Sequence, residues 1–329
     1  MAESCVIVGI DLASQPRRTA ACELVFRGDR LEVRLHPDAL NGAARVDDAL
    51  IKGWLDDERY LLGMDAPFGW PLPFAVAVGG WMDLDRFGDD GVDGATWLAF
   101  DCSEDWDDAT ELLKFRLTDR YVRLYRRRLY EAGGSKIRWP QGLSVSADRI
   151  AITAFRAAAL LAGARLDRTG RTGRVIEVYP ASALAEWELY GGESTVVANT
   201  LADAIRNGAK QWGAEAVLCD GFAEHVAASA DARDAVTAAL TVWASITGYV
   251  SPPEDAETPD FLDADLTPAK KRRPIPERRR QESITAQGRT VTIAEVIDAE
   301  GWIHHPTAPL TEVTAIDPRR LLTQRLGFA

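Results

Sequence analysis

Cys5-Val6-Ile7-Val8-Gly9-Ile10-Asp11-Leu12-Ala13-Ser14 is an apolar run that ends in Gly-x-Asp. The same device returns at Tyr60-Leu61-Leu62-Gly63-Met64-Asp65-Ala66-Pro67. Short apolar runs closed by turn residues predict buried strands. Each strand then delivers one carboxylate to its C-terminal edge. If the two strands are parallel neighbours, Asp11 and Asp65 converge at one end of a sheet. Facing carboxylates repel unless a proton or a cation lies between them. A hard divalent ion, Mg²⁺ or Mn²⁺, is the oxygen-loving partner for such a pair. A lone Asp at a strand end reads equally as a turn cap, and it is the repetition that favours a site.

Outward from these runs, Thr19 to Phe26 and Arg30 to His36 read as strands joined by the turn residues Arg27-Gly28-Asp29. Val46 to Leu55 has helical spacing through Val46, Leu50, Ile51 and Trp54. Three antiparallel strands, a helix and a returning strand beside the first are predicted. Together they are the opening of an α/β, ribonuclease H-like mixed sheet. Further helices are expected at Ile150–Ala162 and Asp231–Tyr249, and a strand at Arg174–Tyr179. Near the end, a strand is expected at Thr290–Ile293 and a helix at Ala294–Ala299. The reading places one domain over 1–250, with an insertion at about 76–148. Residues 251–329 are expected to hold a linker (251–268), a basic segment and a C-terminal extension packed on the same domain.

The 329-residue chain is acidic, with a net charge of −12. That excludes a general nucleic-acid coat, which needs a basic surface, but not a local basic groove. The basic cluster Lys270 to Arg280 reads first as a solvated face. Neither a secretory leader nor an apolar run of bilayer length is visible, so no membrane association and a cytoplasmic address are expected. Cys5, Cys22, Cys102 and Cys219 are scattered, which favours reduced thiols over disulfides or zinc. His304 and His305 are expected to pack or be solvated. Neither a Gly-x-Ser-x-Gly elbow nor a P-loop is present.

Further acids complete the picture. Glu177 ends a strand and reads either as a site residue or as a buried acid paired with Arg116. Asp231 and Asp234 lie in the first turn of a long helix, where acids also serve as caps. Thr118-Asp119 reads as a cap that fixes Arg116. The ordered motifs Gly-Ile-Asp-Leu-Ala-Ser, Gly-Met-Asp-Ala-Pro-Phe-Gly-Trp-Pro, Phe-Arg-Leu-Thr-Asp-Arg, Glu-Val-Tyr-Pro-Ala-Ser and Asp-Ala-Arg-Asp-Ala-Val-Thr-Ala-Ala resemble the family called domain of unknown function 429. Its members are described as predicted ribonuclease H-like nucleases. Glu300-Gly301-Trp302-Ile303 resembles that family's C-terminal signature.

The resemblance implies Asp11, Asp65 and Asp234 as catalytic metal ligands, with Asp231 as a nearby substitute and Glu177 as a family-specific acid. It implies a two-metal phosphodiesterase using Mg²⁺ or Mn²⁺ on a nucleic-acid substrate. Arg116, Arg120 and Ser14 are the candidate substrate-binding residues. Two rival readings remain: an actin-like phosphotransferase, with Gly9–Ser14 as its phosphate loop, and a non-catalytic scaffold presenting Trp70, Trp81 and Trp302.

Overall fold

The computed structural model describes residues 5–36, 46–72, 74–75, 115–122, 150–162, 167–171, 173–257, 283–286 and 289–325. Its centre is a mixed sheet. Strand β1 (Cys5–Asp11) is apolar at every position up to its last residue, because both of its faces are covered. It is followed by β2 (Ala20–Arg27), β3 (Arg30–His36), helix α1 (Asp48–Asp56) and β4 (Tyr60–Asp65). Helix α2 (Ala151–Leu161), β5 (Val175–Val178), α3 (Pro180–Glu186), α4 (Ser194–Gln211), β6 (Glu215–Leu218), α5 (Phe222–Ala228) and α6 (Ala230–Ile246) come next. A hairpin of β7 (Ser283–Ala286) and β8 (Arg289–Thr292) leads to α7 (Ile293–Glu300), β9 (Ile303–His304), α8 (Leu310–Ala315) and α9 (Arg319–Arg325).

The sheet order is β6-β3-β2-β1-β4-β5-β9. The β1–β2 and β2–β3 pairs are antiparallel; β1–β4, β4–β5, β5–β9 and β3–β6 are parallel. This is the mixed α/β arrangement expected from the opening strands, with β4 returning beside β1. Near the chain end, strand and helix form as expected, but among the described residues β8 pairs with β7, in a two-stranded sheet separate from the main one.

Two hydrophobic layers cover the sheet. One holds Ile7, Leu24, Leu61, Ile176 and Val178 against α3, α4 and α6. The other holds Val6, Val8, Ile10, Leu62 and Met64 against α1 and α2. The alternation of residues between the layers is the period-two signature of a strand.

Residues 251–257 are not the linker expected. Ser251 and Ala256 are fully buried, and Pro253–Glu257 forms a short 3₁₀ turn. Its Ala256 joins Leu117, Tyr121, Val296, Ile297 and Trp302 in a third apolar cluster. The two-residue β9 makes the C-terminal segment an edge of the main sheet. The acidic Gly/Trp-rich stretch, Cys102, Trp81 and the basic cluster Lys270–Arg280 lie outside the described residues. Among the described residues, no helix is long and apolar enough to cross a membrane.

Candidate functional site

Asp11 and Asp65 are register partners on adjacent parallel strands, so their Cα atoms sit about 4.8 Å apart. Gly9 and Gly63, two residues earlier, are also partners and share the Asp-bearing face. These glycines explain how the third acid arrives. A Cβ on Gly9 would lie 2.1 Å from the Ala239 backbone N and 2.2 Å from the Ala235 O. On Gly63 it would lie 2.5 Å from a Val242 methyl. Helix α6 therefore lies with its backbone directly on β1 and β4, through a stripe of small residues.

From Gly9 to Asp11 the strand advances about 6.6 Å. From the Ala235–Ala239 contact toward the α6 N-terminus, Asp234 is reached in a rise of about 4.5 Å. The glycine seat thus brings Asp234 to the level of the two strand ends. Its carboxylate pairs with Arg233 at 3.3 Å. Asp231, in the first turn of α6, is exposed, and Ser229 caps that helix by accepting from Ala232 N.

The electrostatics carry the mark of this convergence. Burial first, then Asp234 and Asp231, push the Asp11 carboxyl up from 3.8 to about 8 against the pull of Arg233. Asp65 is raised well above the ordinary range by burial, then by Asp11, Asp234 and Glu177. Asp234 is also raised, chiefly by burial, against Arg233. Asp234 thus acts on both Asp11 and Asp65, and Asp11 acts on Asp65. Among the described residues, however, no three histidine, cysteine or acidic side chains are gathered closely enough to form a metal's ligand set. The donor chemistry fits a hard cation: three carboxylates on one face, two of them forced into register, with Arg233 paired to Asp234.

Glu177 takes a different place. It pairs in register with Met64, which belongs to the α1/α2 layer, so it faces away from Asp11 and Asp65. Its Oε1 accepts from Arg116 Nη2 at 2.6 Å, and its Oε2 accepts from Arg116 Nη1 at 2.8 Å and from Phe68 N at 2.9 Å. Arg116 is 1% exposed. Its remaining donors go to both Asp119 oxygens and to the Glu300 carbonyl. With five hydrogen bonds the guanidinium's donors are all engaged, which leaves none for a substrate. Burial opposes the charge on Arg116, but Asp119 and Glu177 outweigh it and hold its pKa above the ordinary value. Burial pushes Glu177 up against the pull of Arg116.

Glu300 completes this buried knot. Its carboxylate accepts from Leu72 N at 2.7 Å and Leu117 N at 2.5 Å. Burial raises it to about 7, against the pull of Arg120 on the neighbouring helical stretch 117–122. Gly301 has φ +88, and a Cβ there would also crowd Glu177 Oε2 at 3.3 Å. Trp302 Nε1 donates to Ser251 O, and Thr118 Oγ1 accepts from Ile303 N. The knot therefore ties the loop after Asp65 to Phe115–Val122 and to Glu300–Ile303. Glu177, Arg116 and Arg120 belong to it, not to the carboxylate edge. Asp119 fixes Arg116 by accepting from its backbone N at 2.9 Å, as the Thr-Asp reading expected.

Of the remaining candidates, Ser14 is exposed on the loop after Asp11. Trp302 is fully buried, so it cannot join an aromatic surface, whereas Trp70 is part-exposed and stacks on Phe155. Both histidines are packed. His305, fully buried, meets Ser182 Oγ at 2.6 Å and Glu186 at 3.6 Å. That Ser-His-Glu string lies in the interior, out of a substrate's reach. The anchoring role of Glu300 was not read from the sequence; its only local signal is the adjoining glycine.

No curated protein and no solved structure matches this chain. The family described as "Protein of unknown function (DUF429)" matches residues 9–258, a span from the first Gly-x-Asp to the buried turn after α6. The chain belongs to that family.

Proposed function

We propose that this protein is a divalent-metal-dependent hydrolase of phosphodiester bonds. The observation that carries the reading is the in-register pair Asp11 and Asp65, facing the α6 turn that holds Asp234. Asp11, Asp65 and Asp234 would hold Mg²⁺ or Mn²⁺, which would supply Lewis-acid polarisation of a phosphoryl oxygen. The chain's own contribution is placement. The glycine seat fixes α6 on the strands, and the Arg116–Glu177–Glu300 knot fixes the loop that leaves Asp65. Without a metal, burial and the neighbouring acids push the Asp11 carboxyl up to about 8; a bound cation would hold it ionised as a ligand. Glu177 and Arg116 act as positioning residues.

Calorimetric titration of Mg²⁺ and Mn²⁺ into wild type and Asp11→Asn tests the metal site. Saturable binding in wild type that the substitution abolishes supports it, and a cleavage assay on oligonucleotides then tests the reaction. Absence of binding in wild type, with or without oligonucleotide, would leave Asp11 and Asp65 as a proton-sharing structural pair and refute the proposal.

A further inference from the structure

Two loops leave the carboxylate edge, and an aromatic pair, Phe155 exposed and Trp70 part-exposed, is tied to them. Trp70 lies five residues after Asp65, on the loop pinned through Phe68 N and Leu72 N. Its ring stacks on Phe155 of α2, centroid to centroid 4.8 Å, tilted by 45°. Phe155 is 60% exposed, as is Ile152 one turn earlier at 61%. A soluble helix normally turns such residues inward, as α2 does with Ala154, Ala157 and Leu161. The next residue, Arg156, fixes this face to the other loop. It donates to Ala13 O and to Thr19 Oγ1, each at 2.6 Å, and pairs with Asp48 at 2.6 Å. Ala13 is two residues past Asp11. The aromatic pair is thus tied to the segments following both strand-end aspartates.

We propose that Trp70 and Phe155 form a stacking subsite for an unpaired nucleobase of a single-stranded nucleic acid whose backbone reaches the Asp11–Asp65 edge. The inference rests on the phosphodiesterase reading and adds its substrate class. Planar aromatic faces beside a phosphodiester site take bases, because every base has a π-face to offer. The chain is acidic overall, but Arg17 and Arg18, on the 3₁₀ turn Pro16–Arg18 that follows Asp11, are exposed and offer positive charge to a phosphate backbone. A duplex, with its bases already stacked, offers no free face. Two rings and one isoleucine are also far too small for a stable protein interface, which buries about 800 Å² on each partner.

The test compares a thymidine 12-mer with an abasic strand of the same length, by fluorescence anisotropy in Mn²⁺. Wild type should bind the base-bearing strand roughly tenfold more tightly or better. Phe155→Leu, which keeps apolar bulk but removes the ring, should lose that preference; Phe155→Tyr should retain it. Equal binding of the two strands by wild type, or an unchanged preference in Phe155→Leu, would overturn the subsite. Cleavage of the abasic strand by wild type reports phosphodiesterase activity without stacking. If both strands bind equally and the abasic strand is cut, the subsite alone fails; if neither strand is cut, the hydrolase reading fails.

Discussion

Neutralising Asp11 should make the metal-free protein more stable, and the size of the gain follows from its surroundings. Burial raises the Asp11 carboxyl from 3.8 to about 8, so the folded state holds a proton that the unfolded chain has released. A raised acid contributes fully below its unfolded value, loses that contribution as pH climbs, and has lost it all above its folded value. Each tenfold step in proton affinity is worth about 1.4 kcal/mol, which sets a ceiling of about 5 kcal/mol lost by pH 8. Solvent reaching the part-exposed strand end lowers the expected figure to about 2 kcal/mol. Asp11→Asn keeps the shape and removes the charge. At pH 8 in chelator it should melt about 4 °C above wild type, at roughly 2 °C per kcal/mol for a chain of this length. The difference should shrink steadily toward pH 4. Thermal melts by circular dichroism from pH 4 to 9 read this directly. A variant less stable than wild type at pH 8, or a gain independent of pH, would refute the electrostatic reasoning.

Two further outcomes separate the knot from the seat. Arg116→Met should cost about 3–5 kcal/mol in urea unfolding, because Glu177 and Asp119 would stay buried without their partner; a cost below 1 kcal/mol would show that the knot relaxes freely. Gly9→Ala should destabilise by more than about 3 kcal/mol, since its Cβ would meet α6 backbone, whereas Gly63→Ala meets first a side-chain methyl and should cost less; the reverse order would show that α6 does not seat on β1 as described.

What the sequence made legible was what local pattern encodes. The β1 and β4 runs are continuous apolar stretches ended by Gly-x-Asp, and the strands 30–36 and 60–65 fall where their alternation and turns place them. Three short strands escaped notice: β6, four part-exposed or exposed residues at one edge of the main sheet; β7, four residues; and β9, two buried residues at the other edge. Glu177 was legible as an acid near a strand end, and its pairing with Arg116 was one of the two readings. Its face was not, because that depends on the β4–β5 register, which one residue of slip would reverse. The glycines at 9 and 63 were legible as part of the two Gly-x-Asp strand ends; their reason is the close approach of α6, a contact more than 170 residues away in sequence that no local pattern reveals.

The buried knot also imposes an order of events. Leu72 N and the Glu300 carboxylate that receives it are 228 residues apart. During synthesis the strands carrying Asp11 and Asp65 emerge early, yet the loop behind Asp65 cannot close until Glu300–Ile303 has been made. Contacts of such long sequence separation are slow to form and carry a large entropic cost of closure. The loop behind Asp65 is therefore among the last parts of the molecule to acquire a fixed shape. A nascent chain carries Asp11 and Asp65 long before the loop that leaves Asp65 can be held in place.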